Sequence, residues 1–173
     1  ASIAIEALGV LQDKGVEITR DHIKFGLASA EWHARFEIIG SFNNRFNLLF
    51  PHTKLLVLDG GHNPQGAEAL RKALEKYFGG MRIHLVMGVL KDKDYKTMLQ
   101  ILGPIANKIS TVTPSSPRAL SAEDLAEEAK AQGFKAEAYP LVQLAVQQAL
   151  GDFFGEVIVL TGSLTLFKDL GVK

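Results

Sequence analysis

Cysteine is absent from this sequence of 173 residues, and several other features that would assign a class of function are absent with it. The lack of cysteine excludes disulfide frameworks, thiolate zinc sites and cysteine nucleophiles, and it is typical of a protein from the reducing cytoplasm. Nineteen basic residues balance nineteen acidic ones, so no net field attracts nucleic acid or an anionic membrane. No segment approaches the roughly 18 uninterrupted apolar residues of a membrane span. We therefore predict a cytoplasmic protein that binds neither nucleic acid nor membrane.

The usual phosphate-binding motifs are missing as well. No G-x-G-x-x-G follows a strand, and no G-x-x-x-x-G-K-[ST] occurs anywhere in the chain. His22, His33 and His52 do not have the spacing of metal ligands, so we predict no metal site. Ser163 lies in Thr-Gly-Ser and not in a G-x-S-x-G elbow, which disfavours a hydrolase. If the protein binds nucleotide phosphates, another segment must hold them.

From residue 54 onward, apolar runs alternate with segments of helical periodicity. The runs predict strands at residues 55–58, 83–87, 109–112 and 157–160, and the helical segments lie near 64–78, 94–103, 121–132 and 141–151. Continuously apolar strands are typical of a parallel sheet that is buried on both faces. We predict an α/β fold of Rossmann-like type, a mostly parallel sheet with helices on both faces, in which the more polar segment 135–139 is an edge strand.

The first thirty residues follow a different, purely helical pattern. Apolar residues at helical spacing predict one helix that ends at Lys14-Gly15 and a second from about Thr19, a plausible cap, to Ala28. The sequence begins at Ala1 inside the first helical pattern, which we interpret as the sign of a longer chain. Residues 36–39 predict a strand, and residues 46–50 a second strand that returns from a turn at Asn43-Asn44.

Three loops that follow predicted strands carry the side chains with the clearest chemical potential. The first, residues 59–64, reads Asp-Gly-Gly-His-Asn-Pro and leads into a helix, with Asn63 as its cap and Pro64 at its first turn. The second, residues 88–94, reads Gly-Val-Leu-Lys-Asp-Lys-Asp, and the third, residues 161–163, reads Thr-Gly-Ser. Ligands bind at the carboxyl ends of parallel strands, so we expect Asp59, His62 and Asn63 to meet a ligand in the crevice there. Capping and turn formation alone would also explain each loop.

Taken together, these loops resemble, in order and spacing, the landmarks of folylpolyglutamate and dihydrofolate synthases in the Mur ligase superfamily. Residues 32–37, Trp-His-Ala-Arg-Phe-Glu, resemble that family's tryptophan-proline-glycine-arginine stretch, and residues 116–120 resemble its lead into a helix. The resemblance assigns residues 1–30 to the tail of the family's central ATP-binding domain and residues 31–173 to its carboxy-terminal, glutamate-ligase domain. It implies a chain that packs on its own amino-terminal domain, which supplies the phosphate loop and the Mg²⁺ ligands.

The activity that the resemblance implies is ATP-dependent amide formation through an acyl phosphate, with L-glutamate added to a folate or dihydropteroate carboxylate. Arg35 and Asp59 would then contact ATP, His62 would serve the reaction at the carboxylate or the incoming glutamate, and Ser163 would bind glutamate. The sequence alone, without its other domain, should be inactive. His33-Ala34 replaces the family's proline-glycine, which leaves the path of the loop that holds Arg35 undetermined. Two alternatives stay open: another Mur-type amino-acid ligase, and a stand-alone module that binds a nucleotide or an amino acid without catalysis.

Overall fold

The computed structural model describes residues 2–30, 35–39, 55–151 and 156–171. The chain divides into two compact units, Ala1–His33 and Ala34–Lys173. The first unit contains helix α1 (Ser2–Asp13) and helix α2 (Arg20–Ala28). Thr19 caps α2, because its hydroxyl accepts a hydrogen bond from the His22 N–H at 3.1 Å while its own N–H donates to His22 Nδ1 at 3.3 Å. Both predicted helices and the predicted cap are confirmed.

The second unit is built on a six-stranded sheet. The strands are β1 (Glu37–Ile39), β2 (Leu55–Asp59), β3 (Ile83–Met87), β4 (Ala106–Val112), β5 (Ala136–Tyr139) and β6 (Val157–Thr161). Their order is β1-β2-β6-β3-β4-β5, and only the pairing of β1 with β2 is antiparallel. The mostly parallel sheet and the edge position of β5 confirm the prediction. The predicted return strand at residues 46–50 lies outside the described residues.

Among the described residues of this unit, four helices and one short 3₁₀ segment connect the strands, and a fifth helix follows β6. The helices are α3 (Pro64–Phe78), α4 (Tyr95–Leu102), α5 (Ala122–Ala131), α6 (Val142–Gly151) and α7 (Thr165–Leu170), and the 3₁₀ segment is Gly103–Ile105. The first four helices lie within one or two residues of the predicted positions. Helix α7 was not predicted, because six residues are too few to show a helical period.

The helices cover both faces of the sheet, and each face has its own apolar core. Helices α3, α4 and α5 pack against one set of strand residues, which includes Val57 and Val159. Helices α6 and α7 pack against the alternate residues, which include Leu58 and Leu160. Successive residues of a strand point to opposite faces, so a strand between two helical layers must be apolar throughout. This is why the strands read as continuous apolar runs.

Parallel pairing places the carboxyl ends of three neighbouring strands at one edge of the sheet. Thr161 at the end of β6 is in register with Asp59 at the end of β2 on one side and with Met87 at the end of β3 on the other. The loops that follow these strands therefore start side by side. Over the part of the chain that the structure describes, no helix is both long and apolar enough to cross a membrane.

Candidate functional site

The three loops singled out in the sequence meet at the carboxyl edge of the sheet. The Gly162 N–H donates to the carbonyl oxygen of Gly61 at 3.1 Å, and the Gly88 N–H donates to the carbonyl oxygen of Thr161 at 3.2 Å. The Thr161 hydroxyl also donates to the Gly61 carbonyl oxygen at 3.4 Å. Backbone hydrogen bonds therefore join the loop after β6 to the loops after β2 and β3.

Two glycines allow this close approach. Gly162 has a φ of +103°, and a Cβ added there would overlap the carbonyl oxygen of Gly88. A Cβ added at Gly88 would lie 2.7 Å from the carbonyl oxygen of Val112. Non-glycine residues avoid such a φ and cannot approach a backbone oxygen so closely. The sequence marks both positions only as glycines after strands, and their mutual contact was not predicted.

Asp59 is almost buried, with a relative exposure of 9%, and it holds two backbone segments. Its Oδ1 accepts a hydrogen bond from the Gly61 N–H at 2.8 Å, and its Oδ2 accepts one from the Phe36 N–H at 3.0 Å. Burial raises the pKa of the Asp59 carboxyl, while these two N–H groups and the charge of Arg35 oppose the rise. The described contacts of the carboxylate are with backbone N–H groups next to Arg35 and His62, and a ligand contact at Asp59 stays a prediction.

Arg35 is exposed, and it directly precedes Phe36, whose N–H donates the hydrogen bond to Asp59. Phe36 has a φ of +50°, which is unusual for an aromatic residue. Its ring lies 5.6 Å from the ring of Tyr77 and 6.1 Å from the ring of Phe78, centroid to centroid. The hydrogen bond to Asp59 and this aromatic packing fix the backbone next to Arg35, whose exposed guanidinium can meet an anion.

His62 is half-buried in the turn that leads into α3. Its Nδ1 lies 3.0 Å from the carbonyl oxygen of Gly60. A carbonyl oxygen can only accept, so this hydrogen bond requires the proton on Nδ1. The neutral ring then presents a lone pair on Nε2, which can accept a proton but cannot donate one.

The cap that follows His62 is the one expected from the sequence. Asn63 Oδ1 accepts a hydrogen bond from the Gly66 N–H at 2.8 Å, and Pro64 occupies the first turn of α3. Gly66 also packs closely on the turn, since an added Cβ would lie 3.1 Å from the Cα of Gly61. The cap fixes the direction in which the chain leaves His62.

Ser163 is buried, with a relative exposure of 6%, and its hydroxyl is engaged within its own loop. Its Oγ lies 3.0 Å from the Thr165 hydroxyl and accepts a weak hydrogen bond from the Thr165 N–H at 3.4 Å. The structure thus places Ser163 in the loop bonded to Gly61, and the contacts it shows for the hydroxyl are those of a turn before α7. A glutamate contact at Ser163 stays a prediction.

The charged loop after β3 has a partner that sequence reasoning did not find. Leu90 and Ala119 form a β-bridge between this loop and residues 116–120. Arg118 Nη1 lies 3.3 Å from Asp92 Oδ2, and the Lys91 N–H donates to the Arg118 carbonyl oxygen at 2.8 Å. Arg118 is therefore a second exposed arginine of the loops at this edge, and the only signal in the sequence was the clustered charge of residues 91–94.

Metal ligands are not assembled in the part of the chain that the structure describes. No group of three or more histidine or carboxylate side chains there could hold an ion. Each oxygen of the almost buried Asp59 carboxylate already accepts one hydrogen bond from a backbone N–H. The described residues therefore do not fit a Mg²⁺ site.

Comparison with known proteins assigns the second unit to a family. Residues 34–164 match the family described as Mur ligase, glutamate ligase domain, which shows that the chain belongs to that family of ligases. The resemblance inferred from the sequence loops is thereby confirmed.

Within the family, the relatives are folate ligases. The chain is 35% identical over 150 residues to the folylpolyglutamate synthase of Lacticaseibacillus casei, covering 86% of this chain and 31% of that protein. It is 28% identical over 173 residues to the dihydrofolate synthase/folylpolyglutamate synthase of Bacillus subtilis strain 168, covering 98% of this chain and 37% of the relative. The chain thus spans about a third of the length of these curated relatives.

Solved structures of related synthases from other organisms share the fold of this chain. E. coli FolC in complex with DHPP and ADP superposes with a TM-score of 0.77 at 26% identity, covering 96% of this chain and 37% of that one. The bifunctional synthase of Yersinia pestis, complexed with AMPPNP and Mn ion, superposes with a TM-score of 0.74 at 27% identity, covering 95% and 36%.

Proposed function

We propose that this chain is the glutamate-ligase part of an ATP-dependent enzyme that adds L-glutamate to the carboxylate of a folate or dihydropteroate. The observation that carries the proposal is the meeting of the three loops around Gly61, Gly162 and Gly88 at the carboxyl edge, in a domain of the glutamate-ligase family. A related solved structure is described with Mn, AMPPNP and L-glutamate bound, which supports nucleotide and glutamate as substrates.

Arg35 is the residue we assign to the nucleotide. Its guanidinium is exposed and the backbone next to it is fixed through the Phe36 N–H, so Arg35 can offer a planar cation to phosphate oxygens from a defined backbone position. Asp59 acts through Arg35, because its carboxylate accepts a hydrogen bond from the Phe36 N–H and so positions the backbone next to Arg35. The carboxylate's remaining lone pairs could also accept from ribose hydroxyls.

His62 is the residue we assign to the chemical step. In the proposed reaction, the folate carboxylate receives the γ-phosphoryl group of ATP, and the glutamate amine attacks the resulting acyl phosphate. The carbon–nitrogen bond forms, phosphate leaves, and the amine must lose a proton. With Nδ1–H donating to Gly60, the free Nε2 lone pair of His62 suits it to accept that proton or to orient the amine. Ser163 would hold the glutamate beside it.

The exposed apolar side chains of the first unit support our proposal that the enzyme is longer than this chain. Helices α1 and α2 leave large apolar side chains exposed, among them Ile3 at 81% and Phe25 at 76%, and α2 buries no residue. Relatives that share this part of the fold are about three times as long. We propose that residues 1–30 belong to a central ATP-binding domain, that residues 31–173 form the carboxy-terminal domain, and that an amino-terminal domain supplies the phosphate loop and Mg²⁺ ligands. We place this enzyme in the cytoplasm.

The test compares the 173-residue chain with the protein made from its complete open reading frame. We expect the complete protein to release ADP only when ATP, L-glutamate and a folate or dihydropteroate are all present, and the chain alone to release none. ADP release that requires a peptidoglycan precursor in place of the folate would identify another Mur-type ligase. Absence of turnover with every acceptor, together with retained ATP or glutamate binding, would favour a binding module.

Arg35→Ala in the complete protein tests the residue assignment. Losing a charge-assisted contact should raise the KM for ATP by about tenfold or more, with a smaller effect on the KM for glutamate. Arg71→Ala is the matched control, since Arg71 lies on α3, where its Nε pairs with Glu75 at 2.8 Å. An Arg35 variant whose ATP kinetics match those of the Arg71 variant would remove Arg35 from the site.

A further inference from the structure

A second site lies at the opposite edge of the sheet from the three loops. A cavity of about 570 Å³ opens at the amino ends of β3, β4 and β5, where Ile83 and Ala136 begin their strands. Pockets that hold small molecules typically measure about 300–1,000 Å³. Since the strands are parallel, this cavity is separated from the candidate ligase site by the length of the sheet, and nothing in the ligase assignment depends on it.

The lining of the cavity is strongly basic in a chain with no net charge. Four cationic side chains line it, Arg82, Lys108, Lys130 and Lys135, against one carboxylate, Glu137. Two of the cations have carboxylate partners: Arg82 Nε lies 3.7 Å from Glu156, and Lys108 Nζ lies 3.0 Å from Glu137. Within the described ranges, neither Lys130 nor Lys135 has a carboxylate within 4.0 Å, although the charge of Lys130 also acts on Glu137, so both ammonium groups can contact a ligand directly.

The fold fixes the positions of these two lysines. Lys130 lies in the last turn of α5, and Lys135 lies at the start of β5, where its carbonyl oxygen accepts from the Ile109 N–H at 2.8 Å. The ring of Phe134, between them, packs against Gly103, which has no side chain to keep the ring away. The lysines therefore flank an aromatic wall.

A buried histidine completes the lining. His84 is 2% exposed, and its Nε2 lies 2.8 Å from the hydroxyl of the buried Ser110. Hydrogen bonds from the Tyr139 hydroxyl and from Lys108, with smaller contributions from the charges of Lys108 and Lys130, hold the pKa of Glu137 below its usual range. The cavity thus combines an apolar wall, a buried histidine and excess positive charge, and this excess charge attracts an anionic small molecule.

We propose that this cavity binds a small polyanion, with carboxylate or phosphate groups held by Lys130 and Lys135. The test is isothermal titration calorimetry of the 173-residue chain with two probes, inorganic tripolyphosphate and tri-γ-glutamate. We expect saturable binding of at least one probe, and the tighter probe identifies phosphate or carboxylate as the favoured group. Affinity should fall as salt is raised, since both partners are charged.

Two paired variants decide whether the cavity is responsible. The double variant Lys130→Ala/Lys135→Ala should weaken binding by about tenfold or more, because two charge-assisted contacts are lost. The control Lys72→Ala/Lys76→Ala removes the same charge from exposed positions on α3 and should leave the affinity unchanged. Amide shifts at Ile83 and Ala136 on addition of the probe should locate it independently. Equal weakening in both double variants, or no saturable binding of either probe, would overturn the proposal.

Discussion

Alanine at Gly162 should destabilise the second unit strongly, because two separate costs arise at that position. The φ of +103° is strained for any residue with a Cβ, at about 1–3 kcal/mol. The added Cβ would overlap the Gly88 carbonyl oxygen and lie 3.1 Å from the Gly88 carbonyl carbon. These are backbone atoms that cannot rotate away, so strands β3 and β6 must shift, at a further cost of about 1–3 kcal/mol. We expect the free energy of unfolding to fall by roughly 2–6 kcal/mol in total.

The measurement is urea denaturation of the 173-residue chain, followed by far-ultraviolet circular dichroism. Gly80→Ala is the matched control, since Gly80 has a φ of +87° but nothing within 4 Å of an added Cβ. Gly80→Ala should lower the free energy of unfolding only through the cost of a positive φ, about 1–2 kcal/mol. The difference between the two variants therefore isolates the contact between the loops.

A milder variant keeps the test informative if the Gly162 protein does not fold. Gly88→Ala brings a Cβ within 2.7 Å of the Val112 carbonyl oxygen without a positive φ, and should cost about 1–3 kcal/mol. If Gly162→Ala costs no more than Gly80→Ala, the tight junction between the loops after β3 and β6 does not exist as described, and if Gly88→Ala costs nothing, Gly88 does not approach Val112 as closely as described.

Three further outcomes are expected. Burial raises the pKa of Asp59 above its ordinary 3.8, so the folded chain binds this proton more tightly than the unfolded chain does. The stability of the wild type relative to Asp59→Ala should therefore be greatest below about pH 3.8 and fall as the pH rises through the raised pKa. Denaturation at pH 4 and pH 7 that shows the opposite trend would contradict this expectation. His62→Ala in the complete enzyme should lower kcat by about 10²- to 10⁴-fold, as for other lost general bases, with little change in the KM for ATP; unchanged kcat in folded enzyme would leave His62 as a turn residue. Asn63→Ala should cost about 1 kcal/mol through loss of the cap on the Gly66 N–H, and a melting temperature equal to that of wild type would show that the cap contributes nothing.

Most of the fold could be predicted from the chain because its elements are locally encoded. A strand such as β6, apolar at every position, has no stable place except between two covering layers. Helix α3 is marked by Asn63 and Pro64 at its start and by one apolar stripe along its length. The family resemblance rested on the same kind of signal, short motifs after strands in a fixed order. Helix α7 was missed because six residues contain fewer than two helical turns.

The arrangement of the candidate site depended on contacts between residues far apart in the chain. Asp59 accepts a hydrogen bond from the N–H of Phe36, 23 residues earlier, because β1 and β2 pair in an antiparallel manner. That Gly162 touches Gly88 follows from the insertion of β6 between β2 and β3, a strand order no local motif records. The sequence by itself thus determined which residues follow the strands, since secondary structure and burial are written in local periodicity. Only the tertiary structure decided which of them meet and which ring nitrogen of His62 stays free, because strand order and hydrogen-bond partners are set by the packing of the whole sheet.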